Sequence, residues 1–273
     1  MGLKKKIKKF WNSNPCGQAF TAKEVWSKDF FEDLRKHRYL DADYLLNLLR
    51  SVDFKGKSVL ENGCGLGTDL RQIKNMGGNV TGLDLSIESL KLAKRGFEIC
   101  GLDGNFINAD VENLPFQDRI FDITYSFGSL HHTPNTKNAI RENHRVLKPK
   151  GTAIVMLYNR NSFYYYIDYR FGIARMKRAY SKTHVLLAEI IKGIVLRSDD
   201  VKFADGKDNP LGKCYSKKEC KELFEHFSQV KILIRYFPSW MIPSKYLRLP
   251  TTFLYPLSKL IGWHTIIIAK KER

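Results

Sequence analysis

The sequence is short of cysteine, of acid and of any long apolar run, and each shortage excludes a class of protein. Five cysteines stand at 16, 64, 100, 214 and 220 of 273 residues, with no CxxC pair among them. That excludes a small disulfide scaffold and points to a reducing compartment. Only Cys214 and Cys220 are close in sequence. A zinc site made from them with His226 would fit no common spacing, so no metal is expected. No segment has the length of a membrane span. The most apolar stretch, 185–196, contains Glu189 and Lys192, and 251–269 is interrupted by Pro256, Lys259 and His264. The opening MGLKKKIKKFW is basic, but NSNPCGQ follows where a secretory signal has its apolar core. Lys6 stands where a myristoylated terminus wants Ser or Thr. A cytoplasmic protein is expected.

Acidic residues are outnumbered, 28 to 46 basic ones, for a net charge of +18. The surplus is uneven: +6 over residues 1–60, zero over 61–158 and +12 over 159–273. A neutral middle between basic flanks suits an anionic substrate, a nucleic acid, a membrane surface or merely lysine-solvated faces. With 43% hydrophobic residues the chain can bury a sizeable core.

No internal repeat or low-complexity tract appears. Residues 1–57 read as helical, with patterns over 22–38 and 41–52, and form an N-terminal arm. From 58 the texture changes. Short apolar runs at 58–62, 79–85, 105–110, 121–128 and 151–159 read as strands, with helical patterns at 68–76, 87–98 and 136–147 between them. That alternation predicts right-handed βαβ units and a parallel sheet. It stops after Tyr158. A tyrosine-rich run and a polar Gly/Pro loop follow, then a helix at 215–226 and two closing strands at 229–237 and 264–271. The expected layout is a helical arm or lid over 1–57, folded across the ligand site, and a core over 58–273, with excursions at about 160–214 and 238–263.

One motif carries chemistry. The first strand runs into GCGLGTD, so Gly63, Gly65 and Gly67 sit between a strand and a helix. Glycines there admit a ligand close to the backbone, and the helix offers free N–H groups at its positive end. A dinucleotide fingerprint would need glycine at 68, where Thr68 stands. Glu61 lies two residues before the first glycine. It would repel a pyrophosphate and suit a ligand bearing an ammonium group.

These features resemble the class I S-adenosylmethionine-dependent methyltransferases, of the type 11-like, seven-stranded Rossmann-like kind. Asp84 in GLDLS, Asp110 in NADVENLPF, the stretch FDITYSFGSLHHTP and RVLKPKGTAIV match further blocks of that family in order, with Lys150 where glycine is common. The resemblance covers residues 58–158 closely. It implies a mostly parallel, doubly wound α/β sheet and S-adenosylmethionine as cofactor. Glu61, Gly63, Gly65 and Gly67 would hold the methionine moiety. Asp84 and Leu85 would meet the ribose, the carboxylate accepting both hydroxyls, and Asp110 and Val111 the adenine.

The slot after the fourth strand lacks the Asn/Asp-Pro-Pro-aromatic signature of amino-group methylation and holds SLHHTP instead. That favours a small-molecule acceptor and O-methylation, and makes nucleic acid an unexpected partner. His131 and His132 are the catalytic candidates, with His132 preferred because adjacent side chains diverge and the second faces the substrate in similar enzymes. Tyr158 and Tyr39 are the substrate-binding candidates, and Arg38 could reach the cofactor's carboxylate. Two alternatives remain: C-methylation of a lipid or isoprenoid quinone at a membrane, which the basic arm and the apolar run 240–263 suggest, and modification of a nucleic acid.

Overall fold

The computed structural model describes residues 2–18, 21–166, 209–237 and 251–272, with backbone alone at 251–255. Tyr169, the apolar stretch 185–196 and residues 238–250 of the second excursion, with Trp240, Met241, Ile242, Leu247 and Leu249, lie outside them.

Three helices precede the sheet: α1 (Leu3–Ser13), α2 (Lys28–Asp41) and α3 (Asp43–Arg50). Helix α2 starts at Lys28, later than the pattern from 22 predicts, because Ser27 caps it by accepting from the Phe30 N–H. Phe30, Phe31 and Leu34 then form one buried face. The core alternates β1 (Ser58–Asn62), α4 (Thr68–Asn75), β2 (Asn79–Asp84), α5 (Ile87–Ile99), β3 (Asn105–Asn108), β4 (Phe121–Phe127), α6 (Thr136–Val146) and β5 (Leu147–Asn159). After it come β6 (Cys214–Tyr215), α7 (Lys217–Leu223), β7 (Gln229–Arg235), α8 (Thr251–Ile261) and β8 (His264–Lys270).

The strands follow the order β3-β2-β1-β4-β5-β8-β7. Strands β1 to β5 pair in parallel, while β8 is antiparallel to both its neighbours. Central strands buried on both faces read as unbroken apolar runs, as Ala153, Ile154, Val155, Met156 and Leu157 show. This is the Rossmann-like sheet that the alternation predicts, with one addition. The two-residue strand β6 pairs in parallel with Tyr158 and Asn159. Strand β8 already occupies one edge of β5 there, opposite Tyr158. So β6 sits on the edge facing β4, beyond β4's last partner Met156. It brings residues 209–215 to the carboxyl end of the sheet, where open α/β folds place their ligands.

Candidate functional site

A cavity opens at the carboxyl ends of β1, β2 and β4. Its floor is the turn after β1. Gly63 has φ +71°, and a Cβ there would lie 1.9 Å from Ser129 Oγ in the loop after β4. Only glycine lets the two loops touch. Gly65 has φ +51° with open space where a Cβ would point, so its bare backbone faces the cavity. Gly67 is different. It caps α4 and packs against Ala93, and it does not line the cavity.

The acids converge as the sequence predicts. Glu61 is buried at the end of β1 and its Oε2 has no hydrogen-bond partner among the described residues. Burial, then repulsion from Asp69, holds its carboxyl well above the usual carboxylate range. Asp84 closes β2 and braces the glycine turn: Oδ2 accepts from the Gly65 N–H at 2.9 Å and Oδ1 from the Ser86 N–H at 2.8 Å. Burial raises its pKa and those N–H groups oppose the rise. Leu85, Asp110 and Val111 complete this wall. Asp110 Oδ1 accepts from the Glu112 N–H at 2.9 Å and its Oδ2 lies 2.5 Å from Lys4 Nζ.

Lys4 belongs to α1, and α1 covers the cavity. Its Ile7 and Trp11, one helical turn apart, face inward beside Lys4, while Lys5, Lys6, Lys8 and Lys9 face solvent. The Trp11 carbonyl accepts from Ser86 Oγ, and its ring meets the His132 ring edge-on at 5.3 Å. Sequence reasoning missed these contacts. The available signal was two apolar residues four apart in a run of lysines.

Asp69 was missed too, although it stands in the glycine motif. It is buried in the first turn of α4. Oδ1 accepts from Arg38 Nε and the Tyr39 hydroxyl, both at 3.2 Å, and Oδ2 from Arg38 Nη2 at 2.6 Å and the Tyr125 hydroxyl at 2.9 Å. Tyr39, expected at the substrate, spends its hydroxyl on this hub and does not line the cavity. Arg38 does line it.

The histidines diverge. His132 lines the cavity, and its Nδ1 lies 2.6 Å from the Leu211 carbonyl oxygen. A carbonyl only accepts, so Nδ1 carries the proton and Nε2 is the basic nitrogen of the neutral ring. His131 is fully buried, with its ring 3.8 Å from that of Tyr158. Burial pulls its pKa well below that of a free imidazole, so it is neutral. Tyr158 continues the stack to Trp263 at 4.4 Å. The structure therefore places neither His131 nor Tyr158 at the cavity. The outward alternation that frees His132 turns its neighbour into the core. Among the described residues no cluster of His, Cys, Asp and Glu has the form of a metal site, and no helix is long and apolar enough to cross a membrane.

Residues 60–155 match the model of a family described as a methyltransferase domain. That segment, about a third of the chain, carries a methyltransferase domain. Over 102 residues, 37% of either chain, it is 38% identical to a phthiotriol/phenolphthiotriol dimycocerosates methyltransferase of Mycobacterium tuberculosis. Over 137 residues, 49% of this chain and 39% of the relative, it is 30% identical to the cycloartenol-C-24-methyltransferase of Arabidopsis thaliana. The matched segment spans little more than a third of these curated relatives. The whole fold resembles magnesium protoporphyrin IX methyltransferase from Synechocystis, solved with S-adenosylmethionine bound. The TM-score is 0.57 at 12% identity, over 100% of this chain and 98% of that one. S-adenosylmethionine is the cofactor of such a domain, and the cavity suits it. The partnerless Glu61 Oε2 fits an ammonium group, and the open face of Gly65 admits a ligand against the backbone.

Proposed function

We propose that this chain transfers the methyl group of S-adenosylmethionine to a hydroxyl of a small molecule, with His132 as general base. The observation that carries this reading is His132 lining the cavity with its Nδ1 2.6 Å from the Leu211 carbonyl oxygen, an acceptor that leaves Nε2 as the basic nitrogen of a neutral ring. When bound, the cofactor supplies a methyl group on a sulfonium. Glu61 accepts from its ammonium group. Asp84 accepts from the ribose hydroxyls with the lone pairs its two backbone bonds leave over, and Asp110 and Val111 meet the adenine. Positioning of this kind supplies roughly 7–11 kcal/mol of a barrier. His132 Nε2 takes the acceptor's hydroxyl proton, worth roughly 10²- to 10⁴-fold in rate. Helix α1 shuts out water by laying Ile7 and Trp11 over the site. Titration calorimetry tests the reading first: one site for S-adenosylmethionine is expected, and no binding up to millimolar cofactor rejects it. A mass gain of one methyl group, sought in metabolites from cells with and without the gene, then identifies the acceptor.

A second reading puts the acceptor in a lipid surface, with C-methylation. Two observations favour it. The curated relatives carry names of lipid- and sterol-type acceptors, and α1 turns four lysines outward with no acid in its length. Flotation with anionic liposomes decides: protein left at the bottom rejects this reading.

A further inference from the structure

We propose that residues 209–213 form a positioning clamp that fixes the tautomer of His132, with Asn209 and Lys213 as the residues that hold it. The proposal rests on His132 being the base. The clamp is built from five contacts. His132 Nδ1 donates to the Leu211 carbonyl at 2.6 Å. Asn209, itself 2% exposed, turns the chain by accepting from the Leu211 N–H on its Oδ1 at 3.2 Å. The Lys213 N–H donates to the His131 carbonyl at 3.1 Å. Lys213 Nζ donates to the carbonyls of Thr133 at 2.9 Å and Pro134 at 2.6 Å, just past the histidine. Asn209 Nδ2 is 3.4 Å from His132 Nδ1, too far to displace the carbonyl.

The segment reaches the histidine because β6 pairs with β5 beyond the end of β4. It thus gives His132 what a carboxylate partner gives other catalytic histidines: a partner on one nitrogen that makes the other the basic one. The Leu211 carbonyl does this without a charge. The titratable groups of the surrounding elements include His131 on the same turn, Tyr158 on β5 with its ring 5.9 Å away, Lys213 in the clamp, Asp110 and Glu112 after β3, and Lys4 on α1. Glu112 holds the histidine loop by accepting from the Thr133 hydroxyl and, at 2.6 Å, from the Asn135 N–H.

The test reads the tautomer directly and needs no acceptor. In protein with ¹⁵N-labelled histidine, long-range ¹H–¹⁵N spectra report which ring nitrogen carries the proton, and His132→Gln assigns the signal. Wild type is expected to show His132 protonated on Nδ1 when neutral. Asn209→Ala and Lys213→Met should each move it toward the Nε2-protonated form. Asn209→Ser, whose hydroxyl can accept from the same N–H, should restore it. Once the acceptor is known, kcat of the first two variants should fall roughly tenfold or more with KM little changed. Should Asn209→Ala fail to fold, Lys213→Met carries the test. An Nε2-protonated His132 in wild type, or an unmoved tautomer in the folded variants, overturns the clamp. The expected tautomer pattern together with full activity of His132→Ala would support the clamp and reject the base.

Discussion

Replacing Glu61 by glutamine should stabilise the cofactor-free protein and weaken cofactor binding at the same time. The carboxyl is 4% exposed and one of its oxygens has no partner among the described residues. Burial first, and then repulsion from Asp69 and Asp84, oppose its charge and together outweigh the attraction of Arg38 and Arg71, so its folded-state pKa stands well above 4.5. The folded state therefore binds the Glu61 proton more tightly than the unfolded chain does. Its contribution to stability is full below the unfolded pKa and is lost as pH rises toward the folded pKa, above which the loss levels off. Each tenfold gain in proton affinity costs about 1.4 kcal/mol of stability at the upper end of that window. Glutamine carries no such penalty. At neutral pH Glu61→Gln should be more stable by at least about 1 kcal/mol, or roughly 2–4 °C in melting temperature for a chain of this size. The advantage should fade as pH drops below about 4.5, where the wild-type carboxyl becomes protonated in both states.

Binding moves the other way. An ammonium group beside Glu61 selects its ionised form, so the cofactor must drive off the proton that burial holds there. Affinity should rise with pH by up to about tenfold per unit until the carboxyl is ionised without help. Losing the charge-assisted bond costs about 1.5–3 kcal/mol, or roughly ten- to hundredfold in Kd. Two measurements check this: urea denaturation of both proteins across the pH range, and calorimetry with S-adenosylmethionine against methylthioadenosine, which has no amino-acid portion. The variant should lose affinity for the first ligand alone. A glutamine variant that is less stable at every pH and loses both ligands equally would refute the reasoning and make Glu61 a purely structural residue.

Asp84→Ala should weaken S-adenosylmethionine at least roughly tenfold by calorimetry with the fold intact by circular dichroism, since it removes charge-assisted bonds worth about 1.5–3 kcal/mol each and unbraces the Gly65 turn. An unchanged Kd would mean that the ribose lies elsewhere. His132→Ala should keep cofactor affinity and lower turnover roughly 10²-fold at neutral pH, less at high pH where a hydroxyl ionises unaided. His131→Ala should instead appear in denaturation, losing about 2–4 kcal/mol through the hole left between His132 and Tyr158. Similar behaviour of the two would contradict their divergence. Lys150 sits at φ +64°, in the left-handed region, so Lys150→Gly should gain about 0.5–1 kcal/mol in the same assay; a loss would show that the lysine side chain stabilises the turn by more than that strain.

Strand order and the position of the cavity were legible because they follow from local chemistry. A buried parallel strand must be apolar throughout, a tight strand-to-helix turn must use glycine, and a carboxylate ending a strand must point where the sheet opens. Glu61, Gly63, Gly65 and Asp84 met those conditions, and they line one cavity with Leu85, Asp110 and Val111. Side-chain type, by contrast, did not place Tyr39 or Tyr158. A tyrosine is as well suited to a buried stack or a buried carboxylate as to a substrate wall, and only the partner decides. For Tyr39 that partner is Asp69, whose role in turn depends on two tyrosines and an arginine from two other elements.

What the sequence left hidden shares one physical feature: its contacts span long separations in the chain. Lys4 reaches Asp110, Trp11 lies against His132, and Leu211 sets the tautomer of His132 from 79 residues away. Lys4, Trp11 and Leu211 belong to no strand-end motif, and each is ordinary in its own segment. Together they enclose a site whose proposed cofactor half is written locally and whose proposed catalytic half is assembled by tertiary folding. The division has a mechanical consequence. Cofactor contacts rest on rigid strand ends, whereas His132 depends on a short 3₁₀ turn, Leu130–His132, tied to 209–213 and overlaid by α1. Loosening the tie to 209–213 should therefore cost turnover before it costs cofactor affinity, whereas loosening α1 should cost both, because Lys4 and Trp11 also contact Asp110 and Ser86 at the strand ends.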